Sequence, residues 1–391
     1  MPIDAACLRR CVASLLLLIA LGPAATAMAQ PIPAQIDSVG TALTEGRPGG
    51  AVIGVLAADT VTLAGRPVTG RAVFGFGAVD SSGITPTART LFEIGSVTKT
   101  FTGLLLADAI EQGAAQPDDP TQAFLPDTLN VPTHASGPVT LEHLTTHRSG
   151  LPRLPSNLQA SALANPQDPY ANYSARDLHA FLDGYALSRA PGAAYAYSNL
   201  GAGLLGHLLA RAADTSFAAL VQARIARPLG LADTRVHLTA EQRARFAQGY
   251  DGAGRSTPPW HLPALGGAGA LRSTASDMLT YAHVHLTASD RTALGRALQR
   301  AMTPIAEADL GVERFAGTRI GYGWHVTPRS DATVTWHNGG TGGFSSFVGF
   351  SPEAGVGVVI LANAGAMGAE VTSAGFALME ALLPAAPSAQ P

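Results

Sequence analysis

The lysine content of this 391-residue sequence carries the first chemical signal. Of its 25 basic residues only Lys99 is a lysine, and it follows Ser96 by three positions. Residues three apart share one face of a helix, so a helix that begins near Ser96 would bring the amine to the hydroxyl. A desolvated lysine can lose its proton and then activate a serine as a nucleophile. An arginine cannot do this because it stays charged.

A second candidate group lies where a loop enters an apolar helix. Tyr197 and Asn199 are separated by one residue there. A phenol beside a cation can ionise below its usual pKa of about 10 and carry protons, and the asparagine amide can donate to a substrate carbonyl and to Ser96 or Lys99. Taken alone, the same residues also fit a tyrosine packed under a helix start that an asparagine caps.

A third candidate group is a glycine-rich segment after a predicted strand. His337, Asn338, Gly339 and Gly340 follow one another in it. Glycines allow a substrate to approach a strand edge closely, so backbone N–H groups here could bind an oxyanion together with that of Ser96. A glycine-rich hairpin turn is the alternative interpretation.

The elements that must position these groups follow from hydrophobic periodicity. Strands gather near both ends of the chain and helices in the middle, which predicts an antiparallel sheet built from N- and C-terminal segments, flanked by helices, with an inserted helical lobe. The expected class is therefore α/β plus all-α, with the site in the cleft between the lobes. Strands are predicted at 51–56, 71–79, 322–327, 334–337, 344–350 and 356–362, and helices at 101–112, 178–186, 200–213, 217–226, 276–286 and 376–383.

Composition and the first residues exclude several classes of function. The net charge is −3, so no basic surplus exists for nucleic-acid binding. Arg9 and Arg10 precede a short apolar run and an Ala27-Met28-Ala29 cleavage pattern, so we expect residues 1–29 to be a signal peptide, with export to the periplasm or medium and no membrane span after cleavage. Both cysteines lie inside it, which leaves the mature chain without disulfides or thiol chemistry.

Together, the Ser96-x-x-Lys99, Tyr197-x-Asn199 and His337-x-Gly339 patterns resemble those of the penicillin-recognising serine hydrolases, which include class C β-lactamases, D-alanyl-D-alanine carboxypeptidases and esterases. The segments 140–152, 266–277 and 361–363 also look like this family, so the likeness covers nearly all of the mature chain.

The resemblance implies a role for each residue. Ser96 would be the acylated nucleophile, Lys99 its activating base and Tyr197 the general base that completes proton transfer. Asn199 would orient the substrate, and the N–H groups of Ser96 and Gly340 would form the oxyanion hole. His337 would occupy the position that recognises a substrate carboxylate.

The resemblance also implies a catalytic domain over residues 30–391, with an α/β lobe at about 30–117 and 315–384, a helical lobe at about 118–314 and a loose tail at 385–391. The substrates would be β-lactams or peptidoglycan peptides, hydrolysed by a monomer that needs no cofactor. An esterase on the same scaffold and a non-hydrolytic penicillin-binding or signalling protein remain alternatives.

The sequence departs from the family pattern in its last box. Class C β-lactamases usually have Lys-Thr-Gly where this chain has His337-Asn338-Gly339. A histidine is only partly charged at pH 7, so we expect weaker and pH-dependent attraction for a substrate carboxylate. No His-Glu-x-x-His motif or carboxylate cluster accompanies the histidine pairs His143/His147 and His283/His285. We therefore interpret these pairs as structural and expect no metal site.

Overall fold

The computed structural model describes residues 32–63, 66–330 and 332–383. The predicted signal peptide at 1–29 and the predicted tail at 385–391 lie outside these residues. The strands, in chain order, are β1 Gly50–Leu63, β2 Arg66–Gly77, β3 Leu91–Glu93, β4 Thr133–His134, β5 Gly137–Pro138, β6 Gly249–Tyr250, β7 Ser256–Thr257, β8 Arg272–Thr274, β9 Ala306–Glu307, β10 Arg319–Ile320, β11 His325–Pro328, β12 Thr333–Gly340, β13 Ser345–Ser351 and β14 Val356–Ala362.

Helices flank the strands and fill the middle of the chain. The α-helices are α1 Ile32–Thr44, α2 Thr98–Glu111, α3 Leu141–Thr145, α4 Leu158–Ala164, α5 Ala175–Gly184, α6 Asn199–Ala212, α7 Phe217–Val221, α8 Ala240–Arg243, α9 Gly266–Gly269, α10 Ala275–Leu286, α11 Ala293–Met302 and α12 Gly368–Leu382. Short 3₁₀ turns cover Gly95–Val97, Thr121–Phe124 and Glu313–Phe315, and a π-helical turn covers Gln222–Ala226.

The two ends of the chain meet in one antiparallel sheet, as predicted. Its strand order is β2-β1-β14-β13-β12-β11-β10-β9. The two parts of the chain are joined by the pairing of β1 with β14, over the register Ala51 with Ala362 to Ala57 with Val356. The strand order places the glycine-rich end of β12 two strands from β14, facing the segment that carries Ser96.

Both faces of the sheet are covered, which explains why β14 is apolar and buried along its whole length. Side chains alternate between faces along a strand. Val52 and Leu56 of β1 face α10 and share one buried cluster with side chains of α2 and α6, whereas Ala51 and Ile53 face α1 on the opposite side and share a second cluster with side chains of α12. Asn363 joins the two chain ends further, because its side-chain oxygen accepts from the Gly50 N–H at 2.7 Å.

The α/β plus all-α class is confirmed, and several elements differ from the prediction. The prediction placed residues up to about 314 in the helical lobe, but α10 packs on the sheet and β9 joins its edge. The prediction did not include the helices α1, α3, α4, α8, α9 and α11, and α12 begins at Gly368 rather than at 376. The predicted helix at 217–226 is divided into α7 and the π-helical turn.

Within the described residues, no single helix has the length and apolar character to cross a bilayer. One bent pair, α6 with the segment Phe217–Ala226, passes the same test by length and composition only, with an angle of 80° between its parts.

Candidate active site

The proposed nucleophile lies in a tight turn between β3 and α2. Ser96 is half-buried in the 3₁₀ turn Gly95–Val97, immediately before the first residue of α2. Gly95 has φ +48°, and a Cβ there would lie 2.6 Å from the backbone nitrogen of Gly340. Only a glycine therefore fits at this position. The turn leaves Ser96 at the N-terminal end of α2, where helix N–H groups favour developing negative charge.

Lys99 reaches Ser96 as the three-residue spacing predicts. Its Nζ lies 2.9 Å from Ser96 Oγ, 2.9 Å from Asn199 Oδ1 and 2.7 Å from the carbonyl oxygen of Ala268. A neutral amine has two N–H groups, which suit the amide and carbonyl oxygens because neither can donate. The amine lone pair is then left to accept the Ser96 hydroxyl proton.

The environment of Lys99 favours this neutral form. The side chain is 2% exposed. Burial lowers the pKa of its amine well below the ordinary value, and the positive charge of Arg153 lowers it further. All three hydrogen-bond partners are uncharged groups. The amine is thus desolvated and lacks the carboxylate that would hold its proton.

Tyr197 lies against the same amine, with Lys99 Nζ 4.8 Å from the centre of its ring. Burial raises the pKa of the phenol above its ordinary value, and hydrogen bonding with Ser96 and the charge of Arg153 oppose this only in part. The expectation of a lowered phenol pKa is therefore wrong, because desolvation outweighs the nearby cation. Tyr197 is a neutral phenol that can donate a proton.

Asn199 is the first residue of α6 and joins the lysine to the cleft wall. Its Oδ1 accepts from Lys99, and its Nδ2 donates to the Tyr170 hydroxyl at 3.4 Å. The predicted donation from the amide to Lys99 thus runs in the opposite direction. The preceding residue, Ser198, caps α6 by accepting from the Gly201 N–H at 2.9 Å, and this fixes the Tyr197-to-Asn199 segment.

The glycine-rich box lies on β12 beside Ser96, and its four residues face different ways. Asn338, Gly339 and Gly340 line the cleft, whereas His337 is fully buried and does not. Asn338 donates through Nδ2 to the Thr372 hydroxyl at 2.8 Å. A Cβ on Gly339 would lie 2.1 Å from the Ile94 carbonyl oxygen, so β12 can approach the Ser96 turn only with glycine there.

His337 belongs to a layer of buried histidines behind Tyr197. Its ring centre lies 5.1 Å from that of His325 and 6.2 Å from that of Tyr197, and His147 contacts Tyr197 from another side at 4.5 Å. Burial lowers the pKa of His337 well below 6.5, and burial lowers that of His325 to about 4. The expectation of a partly charged His337 is therefore wrong, because desolvation keeps its imidazole neutral.

These residues open onto a cleft of about 870 Å³ between the sheet and the helical insertion. Tyr170 and Trp260 form one wall, with ring centres 5.5 Å apart. Trp260 is held in place because its backbone N–H donates to Glu93 at 2.9 Å and its carbonyl accepts from Arg272 at 2.6 Å. The predicted location of the site between the two parts of the fold agrees with this cleft.

Several residues of the cleft were not identified from the sequence. The carbonyl of Ala268 contacts Lys99, whereas the sequence pattern indicated only the glycine-rich segment 266–277 that surrounds it. Its helix, α9, approaches α6 closely, since a Cβ on Gly206 would lie 2.8 Å from the Gly267 Cα. Arg153, Tyr170 and Trp260 carried no local signal. In the parts of the chain that the structure describes, no cluster of three or more histidines, cysteines or acidic residues could hold a metal ion.

Comparison with known proteins shows which family this chain matches. The family model described as Beta-lactamase matches residues 30–382. A beta-lactamase of Pseudomonas fluorescens is 29% identical over 353 residues, which cover 79% of this chain and 89% of that protein. The D-alanyl-D-alanine-carboxypeptidase/endopeptidase AmpH of Escherichia coli strain K12 is 28% identical over 288 residues, covering 71% and 72% of the two chains.

A solved structure agrees with the fold. The crystal structure of D-alanine carboxypeptidase AmpC from Burkholderia cenocepacia matches with a TM-score of 0.71 and 27% sequence identity, covering 89% of this chain and 97% of that one. The family model spans nearly all of the described residues, and the cleft residues lie within it. The chain therefore belongs to the beta-lactamase family of hydrolases.

Proposed function

We propose that this hydrolase forms an acyl-enzyme on Ser96 and acts on β-lactams or on amides of the D-Ala-D-Ala type. The observation that carries the proposal is the distance of 2.9 Å from the buried Lys99 Nζ to Ser96 Oγ, in an environment that lowers the pKa of the amine. The relatives named as beta-lactamase and carboxypeptidase support this substrate class. We also propose export to the periplasm or medium through the predicted signal peptide.

Acylation would begin with proton transfer from Ser96 Oγ to the lone pair of Lys99 Nζ. As Oγ bonds to the substrate carbonyl carbon, the carbonyl electron pair moves to oxygen, which the N–H groups of Ser96 and Gly340 would stabilise. Collapse of this intermediate breaks the C–N bond and leaves Ser96 as an ester. The departing nitrogen takes a proton from the Tyr197 phenol, which regains one from the Lys99 ammonium.

Deacylation would reverse these proton movements with water in place of the serine. Water gives a proton to the neutral amine through Tyr197 and attacks the ester carbonyl. The intermediate then expels Ser96 Oγ, which takes back a proton from Lys99. The two half-reactions restore the same neutral amine and neutral phenol, so neither residue needs a permanent charge between turnovers.

A carboxylesterase is the second candidate, and the burial of His337 favours it. The position that the family resemblance assigns to carboxylate recognition here holds a neutral imidazole that does not line the cleft. A neutral ester has no carboxylate to be recognised and would lose nothing from this change. The two candidates share the Ser96 and Lys99 chemistry and differ in the leaving group and in the charge of the substrate.

Time-resolved intact-mass spectrometry after brief exposure to benzylpenicillin tests the proposal. We expect the protein to gain the mass of one penicillin, Ser96→Ala to gain none, and Ser276→Ala, altered at an exposed serine on α10, to behave like the wild type. Labelling that persists in Ser96→Ala would contradict the assignment of the nucleophile.

Substrate assays then separate the candidates. Rapid loss of the penicillin adduct with nitrocefin turnover indicates a β-lactamase, and a lasting adduct with D-Ala release indicates a carboxypeptidase. Turnover of p-nitrophenyl esters without penicillin labelling indicates an esterase. A lasting adduct with no turnover of any of these substrates indicates a penicillin-binding protein that does not hydrolyse.

A further inference from the structure

We propose that Arg153 recognises a carboxylate on the substrate and so does the work that the buried His337 cannot do. The inference rests on the proposed function, because it concerns the substrate of the same cleft. It assigns a specificity-determining residue to the helical insertion rather than to β12. It also predicts that carboxylate-bearing acyl compounds are preferred over neutral ones of the same reactivity.

Arg153 is exposed and lines the cleft beside the reacting groups. Its guanidinium carbon lies 5.0 Å from the centre of the Tyr197 ring, on which Lys99 also packs. The backbone of Arg153 is fixed at the start of α6, since its carbonyl oxygen accepts from the N–H groups of Asn199 and Leu200 at 3.0 and 3.2 Å. The backbone that carries this charged side chain is therefore fixed at the mouth of the site.

The other basic side chains in or behind the cleft are neutral or already engaged. Burial lowers the pKa of Lys99 and of His337, which lie behind the cleft wall, well below the ordinary value, and it lowers that of His325, which lines the cleft, to about 4. Arg314 donates to the Ser373 hydroxyl at 3.3 Å and lies 4.0 Å from Glu380. Asp309, the acidic residue among those that line the cleft, binds the Gly311 N–H at 2.8 Å.

Arg153 takes part in none of the ion pairs formed among the described residues. Its guanidinium offers five N–H donors in a planar fork that matches a carboxylate. An exposed cation over the ring of a catalytic phenol, without an acidic partner in the described part of the chain, is available to a ligand. Of the arginines that line the cleft, Arg153 is therefore the one without an acidic partner among the described residues.

Two pairs of substrates that differ only in charge test the inference. The first compares the p-nitrophenyl monoester of glutaric acid with p-nitrophenyl pentanoate, and the second compares a D-Ala-D-Ala peptide with its terminal amide. We expect Arg153→Gln to lower the ratio of kcat/KM for the charged substrate to that for the neutral one by about 10- to 100-fold in at least one pair. An unchanged ratio in both pairs would overturn the proposal.

The ratio is used because Arg153 also lowers the pKa of Lys99, an effect that both members of a pair share. Arg153→Lys keeps the charge but loses the fork and should fall between wild type and Arg153→Gln. Arg255→Gln is the matched control, since Arg255 pairs with Asp251 on an exposed turn outside the cleft. A fall in the ratio with Arg314→Gln and not with Arg153→Gln would assign the recognition to Arg314 and overturn the proposal.

A binding measurement keeps this inference separate from the proposed function. In a Ser96→Ala background, calorimetry measures the affinities for the D-Ala-D-Ala peptide and for its terminal amide without turnover, and the difference reports carboxylate recognition. A preference for the peptide that disappears in Ser96→Ala/Arg153→Gln supports the role of Arg153 even if no acyl-enzyme forms. If Ser96→Ala binds both peptides equally and the wild type is acylated normally, the role of Arg153 is contradicted while the proposed acyl-enzyme on Ser96 is not.

Discussion

Two buried basic residues close to the Ser96 turn have opposite surroundings. Arg272 on β8 is 5% exposed and lies 3.0 Å from the carboxylate of Glu93. Lys99 on α2 is 2% exposed and contacts only neutral groups, the nearest oxygens being those of Ser96, Asn199 and Ala268. The strands that carry Glu93 and Arg272 pair with each other directly before the turn that leads to Lys99.

The difference explains why Arg272 stabilises the structure whereas Lys99 can act as a base. A guanidinium keeps its proton even when buried, and with a carboxylate partner it stays charged and hydrogen-bonded. An ammonium without such a partner loses its proton instead. Arg272 therefore anchors the Trp260 wall, whereas Lys99 is left with a lone pair beside a hydroxyl. An arginine thus stands where a permanent charge is needed, and a lysine stands where the group must lose its proton.

Replacing the base by a permanently charged group is the most severe way to disturb this comparison. Lys99→Arg should lower the rate of acylation by about 10²- to 10⁴-fold, because a guanidinium cannot accept the Ser96 proton. The rate of penicillin adduct formation, measured by intact mass, checks this. Circular dichroism should show an intact fold, and a variant that acylates at a near-normal rate would refute the role of the neutral amine.

Removing the partner of the structural cation tests the other side of the comparison. Glu93→Gln leaves the Arg272 guanidinium buried without a counter-charge and should lower the free energy of unfolding by about 3–5 kcal/mol. Urea unfolding measures this. Glu111→Gln is the matched control, since Glu111 pairs with the half-exposed Arg296 and Arg300 and should cost about 1 kcal/mol or less. Equal losses in the two variants would contradict the larger cost expected for leaving the buried Arg272 without its counter-charge.

Giving Lys99 an acidic partner should make it resemble Arg272. Asn199→Asp places a carboxylate where Oδ1 now lies 2.9 Å from Nζ. An opposite charge so close raises the pKa of the amine, so less neutral amine exists at pH 7 and acylation should fall by about 10- to 10³-fold.

The pH profile of the same variant shows in which direction the pKa of Lys99 has moved. Activity that needs neutral Lys99 is lost as the pH falls through its pKa, so the acid limb of kcat/KM for a neutral ester should move to higher pH in Asn199→Asp. Activity should recover in part at alkaline pH. The substitution keeps the size of the side chain and otherwise alters only the contact of Nδ2 with the Tyr170 hydroxyl. An acid limb at the wild-type position would show that Lys99 is not the titrating group.

The contacts between near neighbours in the chain could be predicted from the sequence. The pairing of Ser96 with Lys99 depends on helical spacing, and the central sheet depends on apolar strands near both ends. Gly113, which directly follows the helix predicted at 101–112, has φ +71° after α2 and its capping residue. These are local properties of backbone and side chain, which a linear pattern records.

The surroundings that set each proton affinity could not be predicted in this way. The carbonyl of Ala268 lies 169 positions from Lys99 and still forms its shortest hydrogen bond. The burial of His337 and of Tyr197 reversed two expectations about charge, because ordinary pKa values describe solvated groups. Arg153 had no motif at all, and only the packing of its loop on α6 brings it over Tyr197.

The sequence by itself determined which chemical groups this protein can use: one lysine among arginines, a serine one helical turn earlier, and a tyrosine, an asparagine and glycines in a recognisable order. Only the tertiary structure decided which of these groups are charged and which face the cleft. Residue type and spacing are properties of the chain, whereas desolvation depends on every atom that the fold packs around a group.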